Sequence, residues 1–212
     1  MSRGGPLTHQ GQLRADLSSA TDAVLARGWA RLTEAVPDGL VSRLVDTPRP
    51  EWHELPEEEG VVRQHGLGSF LPVVEAAETV RNLADEIAAS LTEAGAVHGL
   101  PRVPAFDEAS WTWYPEGHGH ITAHRDPPAC GGVIAVVTLI GSAPFRVWDE
   151  PEGSPLVEWS TGAGDVVVLQ GRGWPRSQDR CPRHGVGPRS GVMIMTLRHN
   201  TRGAGNGYDF GS

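Results

Sequence analysis

The chain contains no lysine: all 18 of its basic residues are arginine. Schiff-base catalysis and a phosphate-gripping lysine loop are therefore excluded. Cysteine is almost as scarce. Cys130 and Cys181 stand 51 positions apart, which is neither a disulfide framework nor a paired redox or zinc motif. A reducing compartment, the cytoplasm, is the expected setting, with the cysteines structural or incidental. No run of 18 or more apolar residues is present, so no membrane-spanning helix is expected. The opening stretch MSRGGPLTHQGQLRADL lacks an apolar core and does not read as a secretory leader. An excess of positive charge is missing too. The net charge is −8 at pH 7; residues 1–110 hold nine arginines against 17 acidic residues, and residues 111–212 hold nine against nine. Such a chain lacks the electrostatic footprint of a protein that tracks a phosphate backbone. Nucleic acid is therefore not the expected partner, although the net charge does not forbid a local basic groove.

What is present is ordinary in amount and ordered in pattern. A length of 212 residues with 39% hydrophobic and 21% charged content fits one domain with a substantial core. Residues 1–108 read as a mainly helical layer. Helical spacing covers 17–27, a segment opened by Pro37-Asp38, and most clearly 72–95, where Val73, Ala76, Ala77, Val80, Leu83, Ala84, Ile87 and Leu91 form an apolar stripe. Short strands are expected at 28–32 and in GVVRQHGLGSF. From about residue 109 the period shortens to two. The segments SWTWY, HITAH, GVIAVVTLI, PFRVWD, LVEWS, DVVVLQ, RHGV and VMIMTLR alternate with Gly/Pro turns. Eight short strands without intervening helices predict a sandwich or barrel. The expected fold class is α+β: a jelly-roll core of double-stranded β-helix, cupin-like type over 109–200, N-terminal helices packed on it, and a tail over 201–212.

The chemistry-bearing residues lie in the β-half. His124-Arg125-Asp126 closes one strand and His184 opens another, 60 residues later. Residues i and i+2 of a strand share a face, so His124 and Asp126 point the same way. If that way is inward, one distant inward histidine completes two imidazoles and one carboxylate. Non-haem Fe(II) oxygenases use this donor set, which leaves three positions open for a chelating cosubstrate and O2.

The surroundings sharpen the reading. Tyr114-Pro115-Glu116-Gly117 and Ile121 precede His124 and Asp126. The run Gly162 to Leu169, with its Gly164-Asp165 pair, precedes His184, and Met195-Thr196-Leu197-Arg198 follows it. On these motifs, across roughly residues 111–200, the sequence resembles the Fe(II)/2-oxoglutarate dioxygenase superfamily, and within it the AlkB-type branch. Two departures are the Gly117-to-His124 gap, one residue longer than in that branch, and Thr112 where the branch carries Asn.

The resemblance implies that His124, Asp126 and His184 hold Fe(II). It also implies that 2-oxoglutarate chelates the metal with its keto-acid end while an arginine fork holds its far carboxylate. Arg198 and Arg189 are the candidates. If residues 187–191 form a hairpin loop, Val186 faces Val192 and His184 faces Ile194. Thr196 and Arg198 then share the His184 face, and Arg189 sits in the turn. That register favours Arg198, helped by Thr196 and Tyr114; another register reverses the choice.

The implied reaction is hydroxylation of a small molecule, an amino acid or biosynthetic intermediate, with 2-oxoglutarate decarboxylated to succinate. Asp126 favours hydroxylation over halogenation, and desaturation or cyclisation would use the same ligands. Two other readings are AlkB-type demethylation of nucleic acid bases and a cupin-like metal-binding protein without oxygenase chemistry. His118-x-His120 ahead of His124 partly imitates the cupin pattern, but the glutamate that pattern expects is missing. Further candidates are Trp111, Trp113, Trp148, Trp159 and Trp174 as pocket residues, and His118 and His120 in the adjoining turn. Arg172, Arg176, Arg180 and Arg183 could receive an anionic substrate, against the plainer reading of a solvated loop. His199 is expected to face away from Arg198.

Overall fold

The computed structural model describes residues 13–14, 17–59, 62–150, 153–174, 181–188 and 191–203. In chain order the elements are α1 (Leu17–Arg27), β1 (Trp29–Leu32), α2 (Asp38–Val45), β2 (His53–Glu54), β3 (Glu58–Glu59), β4 (Val62–His65) and β5 (Leu67–Pro72). A 3-10 turn (Val73–Glu75) and α3 (Glu78–Ala96) follow. The second half contains β6 (Glu108–Tyr114), β7 (His120–His124), β8 (Cys130–Ile140), β9 (Pro144–Trp148), β10 (Val157–Ser160), β11 (Val166–Gln170), β12 (Arg183–Val186) and β13 (Val192–Asn200). Among the described residues no helix is long and apolar enough to cross a membrane.

Two antiparallel sheets face each other. The larger has the order β1-β11-β8-β13-β6-β5-β2 and the smaller β10-β9-β12-β7-β4-β3. From β6 onward the chain steps back and forth between them, which is the winding of a double-stranded β-helix. Alternation along each strand of the large sheet explains the two cores. Met193, Met195 and Leu197 of β13, with Val133, Ala135 and Val137 of β8, meet the buried stripes of α1 and α3. Their neighbours Val192, Ile194, Ile134 and Val136 point into the space between the sheets, where Phe145, Val147 and Val186 join them. With both faces covered, β8 is apolar along nearly its whole length.

The N-terminal half is more than helices. β1 pairs with β11 and β5 with β6, so this half lends strands to the β-core as well as covering it. The helix expected from residue 72 starts at Glu78. Pro72 is extended, Val73 donates its N–H to the Asp107 carbonyl (2.8 Å), and Ala76 and Ala77 are extended before the helix begins.

The expected hairpin between β12 and β13 is not formed. β12 pairs with β7 and β9 in the small sheet, and β13 lies between β8 and β6 in the large one. The two strands therefore stand in different sheets instead of pairing within one. His184 meets Thr196 and Arg198 across the interior, so they share a cavity although the assumed pairing is absent.

The ladder that matters most is β7 with β12. His184 is paired directly with His124, and a register shift then brings Val186 opposite Ile121. This irregularity presses β7 against Gly185, where a Cβ would lie 2.5 Å from the Ile121 carbonyl oxygen and 3.0 Å from that of Thr122. Backbone cannot yield there as a side chain can. Gly185→Ala is expected to lower stability by about 1–3 kcal/mol and to pull His184 out of line with His124, as read by chemical denaturation and by the His184 ring resonances.

Candidate active site

The space between the sheets opens into a cavity of about 520 Å³. β7, β12, β13 and β6 bring His124, Asp126, His184, Arg198, Thr196 and Tyr114 to its wall. All the described residues named from the sequence for metal and cosubstrate are thus gathered in one place. Arg189 lies outside the described residues, as do Arg176 and Arg180.

Two histidines are oriented by the same local device. His124 places Nδ1 3.0 Å from the Thr122 carbonyl, and His184 places Nδ1 3.2 Å from the Pro182 carbonyl. A carbonyl only accepts, so Nδ1 carries the proton and Nε2 keeps the lone pair that a metal needs. Their ring centroids are 4.4 Å apart, and Phe145 stacks on His184 at 5.8 Å. Burial lowers both imidazole pKa values, that of His124 to about 4 with the neighbouring His184 adding to the effect. Both rings are neutral at pH 7.

Asp126 lies just beyond β7 and is 6% exposed. Arg198 Nε donates to its Oδ1 at 2.8 Å, and its Oδ2 is 3.4 Å from His184 Nε2. Burial by itself would raise the Asp126 pKa. The Arg198 charge, followed by the two histidines, outweighs burial and holds it below the usual range, so the carboxylate stays ionised. Arg198 also donates through Nη1 to Ser110 Oγ (3.1 Å) and lies 3.8 Å from Glu108 Oε1. Its guanidinium thus already holds protein carboxylates, which the sequence did not reveal. Burial pushes the Tyr114 phenol up, so it remains a hydroxyl. Among the described residues no group of three or more His, Cys, Asp or Glu side chains stands clustered as metal ligands. The two rings and the Asp126 carboxylate stand next to one another on the cavity wall.

Sequence reasoning missed Glu108 and Ser110, although a signal was there. Along β6, Glu108, Ser110, Thr112 and Tyr114 alternate with Ala109, Trp111 and Trp113, and the four polar residues all line the cavity. Of the five tryptophans considered for the pocket, only Trp111 borders it. Trp174 is buried and donates Nε1–H to the Pro101 carbonyl, while Trp159 stacks on Trp29 and Phe145. His118 is exposed, and His120 contacts the His118 carbonyl; neither lines the cavity. His199 turns to Asp107 (3.0 Å), away from Arg198.

No protein-family model matches the chain, and no curated protein matches it in sequence. Solved structures match its fold. A prolyl-4-hydroxylase from Pseudomonas putida aligns with TM-score 0.61 and 20% identity, over 88% of this chain and 100% of the other. An oxidoreductase of the 2OG-Fe(II) oxygenase family from Burkholderia pseudomallei aligns with TM-score 0.60 and 12% identity, over 91% and 94%. OsALKBH1 aligns with TM-score 0.59 and 14% identity, over 82% and 97%. The chain therefore shares the double-stranded β-helix fold of these proteins.

The depressed imidazole pKa values carry a pH signature for the metal-free protein. Unfolded, a histidine titrates near 6.5; His124 folded does so near 4. Between these values the unfolded state takes up protons that the folded state refuses, so stability falls as pH drops through the window. The expected loss from His124 is on the order of 3 kcal/mol, and His184 adds in the same direction. Denaturant titrations from pH 7 to pH 4 should show a shallower slope for His124→Asn; an unchanged slope would mean that the ring is not held neutral.

Proposed function

We propose that this chain is an Fe(II)- and 2-oxoglutarate-dependent oxygenase acting on a small molecule, with His124, Asp126 and His184 as metal ligands. The observation that carries the reading is the donor set at the paired strands and just beyond them: two imidazoles protonated at Nδ1 and one buried, ionised carboxylate, all lining one cavity. Two neutral nitrogens and one anionic oxygen suit a divalent first-row ion and leave coordination positions for other ligands. Bound there, iron would supply the activation of O2 that no side chain of this chain can perform.

The protein's own residues do the rest. The Thr122 and Pro182 carbonyls fix the ring tautomers and keep Nε2 directed at the cavity. Arg198 keeps Asp126 ionised and turned toward the histidines. We assign the far carboxylate of 2-oxoglutarate to Arg198 with the Thr196 and Tyr114 hydroxyls, which leaves Arg198 a double duty. Phe145, Val186, Ile121 and Ile194 exclude water from the inner wall. The hydrogen removed from the substrate and the hydroxyl installed in its place define the reaction type we favour.

The structural likeness to OsALKBH1 keeps base demethylation as a second reading. The acidic N-terminal half, which supplies β4 and β5 to the cavity wall, weighs against a polyanionic substrate.

Anaerobic addition of Fe(II) and then 2-oxoglutarate to the metal-free protein should produce a weak visible charge-transfer band that requires both. His124→Ala or His184→Ala should abolish stoichiometric iron binding while the β-core stays folded. Iron bound without the band would favour the cupin-like reading. Arg198→Ala is expected to weaken iron binding and 2-oxoglutarate binding together, each by roughly 2–3 kcal/mol; loss of the second alone would remove Arg198 from the support of Asp126.

A further inference from the structure

Charge in the cavity wall is distributed against the trend of the chain. Arg125, Arg172, Arg183 and Arg198 line it, against the carboxylates of Asp126 and Glu108. Both carboxylates lie against Arg198, at 2.8 and 3.8 Å. The other three arginines have no carboxylate partner among the described residues. Arg125 and Arg172 are exposed and Arg183 is half-buried, so they stand where the cavity meets solvent. In a protein of net charge −8, the mouth of this cavity is locally cationic. Low-dielectric walls around such a mouth focus its field outward and draw anions in.

We propose that the substrate carries an anionic group, carboxylate or phosphate, received at the mouth by Arg125, Arg172 and Arg183. This rests on the oxygenase reading and names its substrate class. Guanidinium forks match the paired oxygens of either group. Another part of the lining is different: Leu55, Val62 and Phe70 are half-buried and face the same space. The substrate thus has an apolar body attached to its anionic end. A nucleic acid strand would also bring phosphate, but its length would carry it over the acidic N-terminal half.

The test uses a matched pair of probes, 3-phenylpropanoate and its uncharged amide, with Mn(II) in place of iron and 2-oxoglutarate at saturation. Proton relaxation by Mn(II) reports binding near the metal, and saturation-transfer NMR on the metal-free protein reports binding without it. The carboxylate should bind tighter than the amide, on the order of tenfold. The preference should collapse in Arg172→Gln/Arg183→Gln and be retained in Arg172→Lys/Arg183→Lys. Equal binding of the two probes, or a preference that survives removal of all three arginines, overturns the proposal. So does a single-stranded oligonucleotide that binds through these arginines and displaces the carboxylate at lower concentration. Absence of Mn(II) relaxation on 2-oxoglutarate itself counts against the oxygenase reading; the carboxylate-to-amide difference on the metal-free protein tests the arginines separately.

Discussion

The Arg198–Asp126 ion pair is the polar tie on which the site depends. Arg198 projects from β13 of the large sheet and Asp126 from the end of β7 in the small one, so the contact spans the two layers. Around it, Val192, Val147, Val167 and Leu169 belong to one apolar cluster that packs the two sheets together. A sandwich closed along its whole length in that way would have no cavity. Ion pairing across the open end holds the layers while leaving room, and removing Arg198 would leave the buried Asp126 carboxylate without its cation at a cost of about 3–5 kcal/mol. The pair also decides the protonation of the site: one positive charge keeps a buried carboxylate ionised beside two imidazoles that burial keeps neutral.

Much of the β-half was legible because period-two alternation is local. HITAH and RHGV coincide with β7 and β12, and the other six expected strands overlap β6, β8, β9, β10, β11 and β13. His124, Asp126 and His184 were legible as a spacing, and Thr196 and Arg198 as a parity on β13. Pairing was less legible, because the partner of a strand is chosen over long sequence distances. The short connection after Val186 suggested a hairpin, but burial of both β12 and β13 is satisfied better by placing them in opposite sheets. The roles of Glu108 and Ser110 escaped for a different reason. The polar face of β6 was visible, but only the meeting of that face with Arg198 gives it meaning.

Charge is sorted by depth in this molecule. Acidic residues dominate the N-terminal half, a neutral pair of rings and a balanced ion pair occupy the cavity wall, and unpartnered arginines remain where the cavity opens. The absence of lysine makes every cation in the chain a planar, permanently charged fork. The cavity can therefore be tuned by where arginines stand but not by their protonation.

The direct pairing of His124 with His184 also sets the freedoms of the site. Their separation is a ladder spacing, so it cannot widen or narrow without breaking the sheet, and Gly185 locks the strands at their closest approach. Asp126, beyond the strand end, is under no such restraint from the ladder. The trio is thus a fixed jaw of two rings with one movable tooth. In the proposed metal site, adaptation to ions of different radius would fall to a single side chain and to the arginine that leans on it.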